Sequence, residues 1–277
     1  MTLAGLLGVD VTSVDDLGAS HEWTLHRATL ADGRTVFVKA ANGPDGVFAA
    51  EAAGLRWLGE VAGAPVPEVL GVDDTTLVLP WLPPDSVTPA VAERFGRELA
   101  ALHTAGAPAY GAPWPGFIAE LPLDNTQADS WPEWYARRRL LPFLRASDGA
   151  LAADDVRLVE RVIDNVAALA GPAEPPSRIH GDLWSGNVLW SAGRGWLIDP
   201  AAHGGHRETD LAMLALFGTP ELARIIAAYQ EVAPLADGWR ARVPLHQLHP
   251  LLVHVVLYGA SYRSRTVEAA RAALATS

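Results

Sequence analysis

The chain is 277 residues long, 49 % hydrophobic and free of cysteine, and it carries 21 Lys and Arg against 32 Asp and Glu, a formal charge of −11 at pH 7. That length and apolar content suit one large domain or two lobes around a sizeable core and exclude a disordered chain. Without Cys there are no disulfides, thiolate metal sites or thiol nucleophile, and the acid excess argues against a nucleic-acid face, so phosphate chemistry here needs a few placed cations or a metal.

The first residues have no basic segment and already include Asp10, Asp15 and Asp16, so no secretory or transit signal is expected. The most apolar runs, Leu211 to Phe217 and Leu251 to Tyr258, are far shorter than the roughly 20 residues a membrane span requires. A cytoplasmic protein with no membrane contact is the default, and a monomer is the simplest assembly.

From Glu22 the pattern reads as strands around one helix. Trp23 to Leu30 and Thr35 to Lys39 flank the turn Ala31-Asp32-Gly33-Arg34 and read as a hairpin. Pro44-Asp45-Gly46 then opens onto Val47 to Leu58, where Phe48, Ala52, Leu55 and Leu58 fall on one helical stripe. Val69 to Val72 and Thr76 to Leu79, around Asp73-Asp74, form a second hairpin. Three prolines in Pro80-Trp81-Leu82-Pro83-Pro84 suit neither a central strand nor a helix and mark a hinge.

Helices dominate the remaining two thirds of the chain. Thr88 is a candidate N-cap and Pro89 a first helical residue, with Val91, Phe95, Leu99 and Leu102 on one face and Gly106 at the end. Val156, Val159, Ile163, Val166 and Leu169 form a second stripe, stopped by Gly171-Pro172. Short apolar runs between Ile179 and Asp199 suggest small strands holding a loop. Beyond Glu208 helices resume, with Pro220, Pro234, Pro244 and Pro250 as expected punctuation.

The chemistry concentrates in His180-Gly181-Asp182-Leu183-Trp184-Ser185-Gly186-Asn187 and Ile198-Asp199-Pro200. Phosphoryl transfer to a hydroxyl calls for an acid beside the attacking oxygen and hard oxygen ligands for Mg²⁺. Asp182 as base, with Asn187 and Asp199 as metal ligands, meets that need. Asp and Asn are also common turn caps, but the strand-like runs on either side are the context the catalytic reading requires.

This order resembles the catalytic loop and metal-binding Asp of protein kinases, with His-Gly-Asp for His-Arg-Asp and Asp-Pro-Ala for Asp-Phe-Gly. With Trp184 after Leu183, and with Arg207-Glu208-Thr209-Asp210-Leu211-Ala212-Met213 downstream, it is most similar to the fructosamine kinase (ketosamine 3-kinase) family. The resemblance implies an α+β, protein-kinase-like fold: a small antiparallel β-rich N-lobe over residues 1–79, a hinge at 80–84 and a larger, mainly helical C-lobe over 85–277. It implies ATP and Mg²⁺ as cofactors, and free or protein-bound glycated amines as substrates, phosphorylated on the sugar 3-hydroxyl to give an unstable product that releases the amine.

Carried over to this chain, Lys39 and Glu51 become the ion pair that steadies the ATP phosphates, and Gly18 and Ser20 belong to the phosphate loop Leu17-Gly18-Ala19-Ser20. The Pro80 carbonyl and Leu82 N–H would read adenine, and Trp184 would lie along the sugar. The loop lacks a commonly found second Gly, Pro80 replaces a usual Glu, and His203-Gly204 replace a frequent Tyr pair, which raises the expectation of altered substrate preference. His180 and Asp210 are expected to support the loop, and His246, His249 and His254 to be packed or surface residues. The alternatives are another small-molecule kinase of the same fold, acting on an aminoglycoside, choline or homoserine, and a non-catalytic nucleotide-binding scaffold. Intact Lys39, Asp182, Asn187 and Asp199 argue against the scaffold. A protein kinase is disfavoured because no Ala-Pro-Glu signature comes after Asp199.

Overall fold

The computed structural model describes residues 2–20, 22–43, 46–147 and 149–275, so Pro44 and Asp45 of the expected turn lie outside the described residues. The chain opens with α1 (Leu3–Leu7), β1 (Val11–Ser20), β2 (Trp23–Leu30), β3 (Thr35–Ala41), α2 (Val47–Gly59), β4 (Gly71–Asp73) and β5 (Thr76–Pro80). The strands form one antiparallel sheet in the order β1-β2-β3-β5-β4. Alternation along the strands gives the sheet two apolar faces. Trp23, Leu77 and Leu79 meet Phe48, Ala52 and Leu55 of α2, whereas Ala28, Leu30, Val36, Val38 and Val78 pack against Leu3, Leu6 and Leu7 of α1.

The residue pattern marks strands only from Trp23 on, and Leu17 to Ser20 are expected as the phosphate loop between the first two strands. The structure instead carries β1 through to Ser20, paired with Trp23, with an irregularity between Asp16 and Gly18. The physical reason is its place at the sheet edge. Most of β1 is exposed, so no buried face imposes alternation on it, and Asp15, Asp16 and Gly18 look like turn residues.

Downstream come α3 (Pro89–Thr104), β6 (Gly116–Ile118), β7 (Leu121–Leu123) and α4 (Trp131–Tyr135). A π-helical turn at Ala136–Leu140 leads into α5 (Leu141–Ala146), and then come α6 (Ala153–Leu169), β8 (Ser177–Ile179), β9 (Val188–Ser191), β10 (Arg194–Leu197) and β11 (His203–Gly205). Helices α7 (Glu208–Leu216), α8 (Leu222–Val232), α9 (Trp239–Tyr258) and α10 (Arg263–Leu274) complete the fold. The Thr88 hydroxyl caps α3 by accepting from the Val91 N–H. One core joins α3, α8, β9 and β10, and another joins α4, α5, α6, α9 and α10. No described helix is long and apolar enough to cross a membrane.

Pro244 and Pro250 do not end helices as expected; both lie inside the 20-residue α9. Pro250 has no N–H to donate toward the His246 carbonyl one turn back. The buried Tyr135 hydroxyl enters the helix at this point, lying 2.8 Å from the Leu245 carbonyl and 3.5 Å from the His246 carbonyl as donor and accepting the His249 N–H at 3.3 Å. Tertiary packing thus supplies the hydrogen bonding that local sequence denies.

Helix α2 is tied to both regions. Its Leu58 belongs to the core of α3 and α8, and Arg178 of β8 hydrogen-bonds Glu60 at 2.9 Å while stacking over Trp57. The approach of α3 to α8 is equally tight, because a Cβ on Gly96 would lie 2.3 Å from the Ile225 carbonyl oxygen. Gly96→Ala is therefore expected to push these helices apart and to lower stability by about 1–3 kcal/mol, read as a reduced urea midpoint with an unchanged m-value.

Candidate active site

Lys39 near the end of β3 points toward α2, where its Nζ lies 2.9 Å from Glu51 Oε2. It also pairs with Oδ1 of Asp199, just beyond β10. The Trp23 ring lies 4.3 Å from Nζ and adds a cation–π contact. Burial works against the Lys39 ammonium, but Glu51 and Asp199 raise it well above its ordinary value. Burial and Asp199 push Glu51 up while Lys39 pulls it back. Burial also opposes the charge on Asp199, yet Lys39 holds its carboxyl below the usual range.

The loop between β8 and β9 carries the other acid. Asp182 is pushed up to about 7, first by burial and then by the charge of Asp199. The Asn187 amide nitrogen donates to the Asp182 carbonyl at 2.8 Å and to its Oδ2 at 3.0 Å. The Asp182 backbone carbonyl can only accept, so the amide must face it with nitrogen and Asn187 Oδ1 is turned away.

Asp210 of α7 holds this loop from behind. It accepts the His180 N–H at 2.7 Å and the Gly181 N–H at 2.9 Å. Although burial opposes its charge, the His103 hydrogen bond and the neighbouring donors keep its carboxyl below the usual range. His180 completes the support. Its Nε2 lies 2.9 Å from the Ile198 carbonyl oxygen and its Nδ1 accepts the Asp182 N–H at 3.2 Å, so a single neutral tautomer satisfies both. Burial lowers its pKa and favours that form. Gly181 has φ +82°, and a Cβ there would sit 2.3 Å from the Ala201 carbonyl oxygen. The Trp184 ring lies across Gly186, where a Cβ would be 2.2 Å from it.

These groups surround a cavity of about 170 Å³. Of the residues singled out in the sequence, Ser20, Lys39, Glu51, Asp182, Trp184, Asn187 and Asp199 line it. Gly18, Pro80 and Leu82 are not in its lining. Gly18 sits in β1 opposite Leu25 with φ +96°. Pro80 ends β5 opposite Val36, next to the bond from the Trp81 N–H to the Thr35 carbonyl, at a position where the β3 ladder needs no donor.

The lining also includes residues given no site role in the sequence: Trp114 to Ala119 around β6, and Val253, Leu257, Tyr258 and His254 on α9, the last expected only as a packed or surface residue. They belong to no motif, and only folding brings them to the catalytic loop. His203 is buried rather than facing the cavity. It bonds the Ala201 carbonyl and packs on Trp134, and a Cβ on Gly204 would lie 1.9 Å from the Ala109 carbonyl oxygen. Both residues serve packing, which removes the basis for tying them to substrate preference.

A separate buried group brings ligand atoms of His206, Glu208 and His246 within 4.8 Å of one another. Arg242 already holds both Glu208 oxygens, at 2.6 and 2.9 Å, so the carboxylate is neutralised by a fixed guanidinium.

The fructosamine kinase family model matches residues 13–276. A probable ketoamine kinase of Thermus thermophilus is 36 % identical over 231 residues, covering 83 % of this chain and 84 % of that protein. The crystal structure of a candidate fructosamine-3-kinase from Thermobifida fusca superposes with a TM-score of 0.96 at 59 % identity, covering 98 % of this chain and 96 % of that one. A macrolide 2′-phosphotransferase from Brachybacterium faecium shares the fold, with a TM-score of 0.64 at 16 % identity and coverage of 96 % and 95 %.

The raised pKa of Asp182 has a stability consequence. A carboxyl whose folded-state pKa lies above its unfolded value favours the folded state at low pH and withdraws that support as pH rises through the folded pKa, here about 7. Asp182→Asn removes this penalty. In ligand-free protein its Tm advantage over wild type is expected to widen by about 5–10 °C between pH 5 and pH 8, for a differential of about 2–3 kcal/mol; a pH-independent difference in thermal scans would contradict it.

Proposed function

The chain belongs to the fructosamine kinase family, and on that premise we propose that it transfers the γ-phosphoryl group of ATP to the sugar 3-hydroxyl of a ketosamine, with Asp182 as the base. Family membership makes it an ATP-using kinase of glycated amines with the protein-kinase-like fold. The residue roles, the metal and the acceptor position are our reading. The observation that carries them is the single cavity lined by Lys39, Glu51, Asp182, Asn187 and Asp199.

Asp182 receives the proton of the 3-hydroxyl as that oxygen bonds to the γ-phosphorus and the bond to the departing ADP breaks. A carboxyl with its pKa near 7 is matched to this task. Asn187 restrains Oδ2 and leaves Oδ1 for the acceptor. Lys39, fixed by Glu51, steadies the phosphates, and Trp184, 39 % exposed, offers a ring face to the sugar. Ser20, and Gly18 at the irregularity of β1, are assigned to the phosphate side, and the Pro80 carbonyl and Leu82 N–H to adenine. The reading also divides the chain into an N-lobe to residue 79, a hinge at 80–84 and a C-lobe beyond.

Asn187 Oδ1, turned away from Asp182, and the Asp199 carboxylate, 46 % exposed in its side chain, form an all-oxygen donor set that fits Mg²⁺. When bound, the ion neutralises charge on the transferring phosphates. Most of the rate gain then comes from positioning and charge compensation.

One assay tests the reading: Mg-ATP consumption with a panel of ketosamines, choline and aminoglycosides. Turnover is expected with ketosamines, and phosphorylation of choline or an aminoglycoside alone would overturn the acceptor assignment. Asp182→Asn is expected to lower kcat by ~10²–10⁴. Asp199→Ala is expected to abolish metal-dependent ATP turnover, and retention of that turnover would refute its role as a ligand.

A further inference from the structure

Five rings form a continuous aromatic surface beside the catalytic cavity. Trp184 meets Phe217 edge-on at 6.1 Å, Phe217 lies 5.0 Å from His254, and His254 lies 5.5 Å from Tyr258 and 4.6 Å from Tyr262. Tyr258 and Tyr262 are themselves 5.8 Å apart. Trp184, His254 and Tyr258 line the cavity that contains Asp182, so the surface begins at the reacting groups and extends away from them.

Two of these rings are exposed out of keeping with their size, while Phe217, His254 and Tyr262 are half-buried beside them. Tyr258 is 52 % exposed and Trp184 39 % exposed, two of five large apolar side chains so exposed among the described residues. Large exposed apolar groups that adjoin a cavity mark a binding surface more often than single scattered ones do. The backbone holds them in place. Gly259, at φ +68°, turns the chain at the end of α9 so that Tyr262 comes back beside Tyr258, and the His254 Nδ1 is hydrogen-bonded to the Pro250 carbonyl at 2.7 Å. Arg265 stacks over Phe217 at 5.5 Å and places a cation at the edge of the surface.

We propose that Phe217, His254, Tyr258 and Tyr262 form a seat for the substituent on the amine of the ketosamine, and that the seat selects aromatic or apolar amines over short ones. This rests on the acceptor reading above. In a ketosamine the amine is on C1, two carbon–carbon bonds from the C3 that carries the acceptor hydroxyl. With that hydroxyl at Asp182, the amine's substituent leaves the cavity along its rim. Ring faces there attract the secondary ammonium and bury an aromatic or apolar group attached to it, while Arg265 disfavours a second positive charge on that group.

The test compares two synthetic ketosamines made from fructose, one with benzylamine and one with methylamine, by the kcat/KM of ATP consumption. Wild type is expected to prefer the benzyl compound by about tenfold, mainly through KM. Tyr258→Ala and Tyr262→Ala are expected to bring the ratio of the two kcat/KM values toward one, whereas Tyr258→Phe, which keeps the ring, retains the preference. Turnover of both compounds by wild type without preference overturns the seat but leaves the acceptor reading standing. So does an equal fall for both substrates in the two alanine variants, which would mark the tyrosines as merely structural. Turnover of neither compound removes the acceptor reading and this proposal together.

Discussion

One buried cation, Lys39, is paired with two carboxylates from different parts of the chain, and the cleft is organised around that arrangement. Glu51 approaches from α2 and Asp199 from the end of β10. Burying an ammonium is costly unless it is paired, and removing one partner from such a pair strands the other charge. The sheet, α2 and the loop after β10 are therefore held to one arrangement by the same ion. An acid-rich chain with a formal charge of −11 thereby holds one ammonium in the cavity, already matched by two carboxylates.

The catalytic loop depends on a second buried charge. Asp210 is sealed beneath the loop and spends its oxygens on the His180 and Gly181 amides and on His103. Those bonds fix the backbone, His180 fixes the turn to the Ile198 carbonyl, and Asp182 is left with a raised pKa near the cavity. The two carboxylates are opposites in use. Asp210 is stabilised as an anion and acts through the backbone, whereas Asp182 is kept less willing to ionise and so is suited to exchange a proton. Helix α2 connects the two centres, because Arg178 of β8 grips its C-terminal end while Glu51 holds Lys39.

Much of this was legible in the residues. The hairpin of Trp23 to Lys39, the stripe of α2 and the Thr88-Pro89 start of α3 come from local patterns that agree with their tertiary surroundings. Asp182, Asn187 and Asp199 could be named as candidates because phosphoryl transfer needs those chemical types, and Lys39 and Glu51 because the chain around them resembles a known family. Strand β1 was not legible because an exposed edge carries no buried period. The continuous α9 was not legible either, because Tyr135, more than 100 residues earlier, supplies hydrogen bonds around Pro250.

The sequence by itself determined the absence of any thiol and, through the order of residues around Asp182, Asn187 and Asp199, a resemblance that implies the class of fold and the candidate acids, amide and cation. These rest on residue identity and local order, which chemistry constrains directly. Only the tertiary structure decided that Lys39 reaches both Glu51 and Asp199, that His203 packs behind the cavity, and that Trp114 to Ala119 and the rings of α9 form its far wall. Contacts between segments far apart in the chain depend on how helices and strands pack, and the side chains that make them carry no local signature of the partner they will meet.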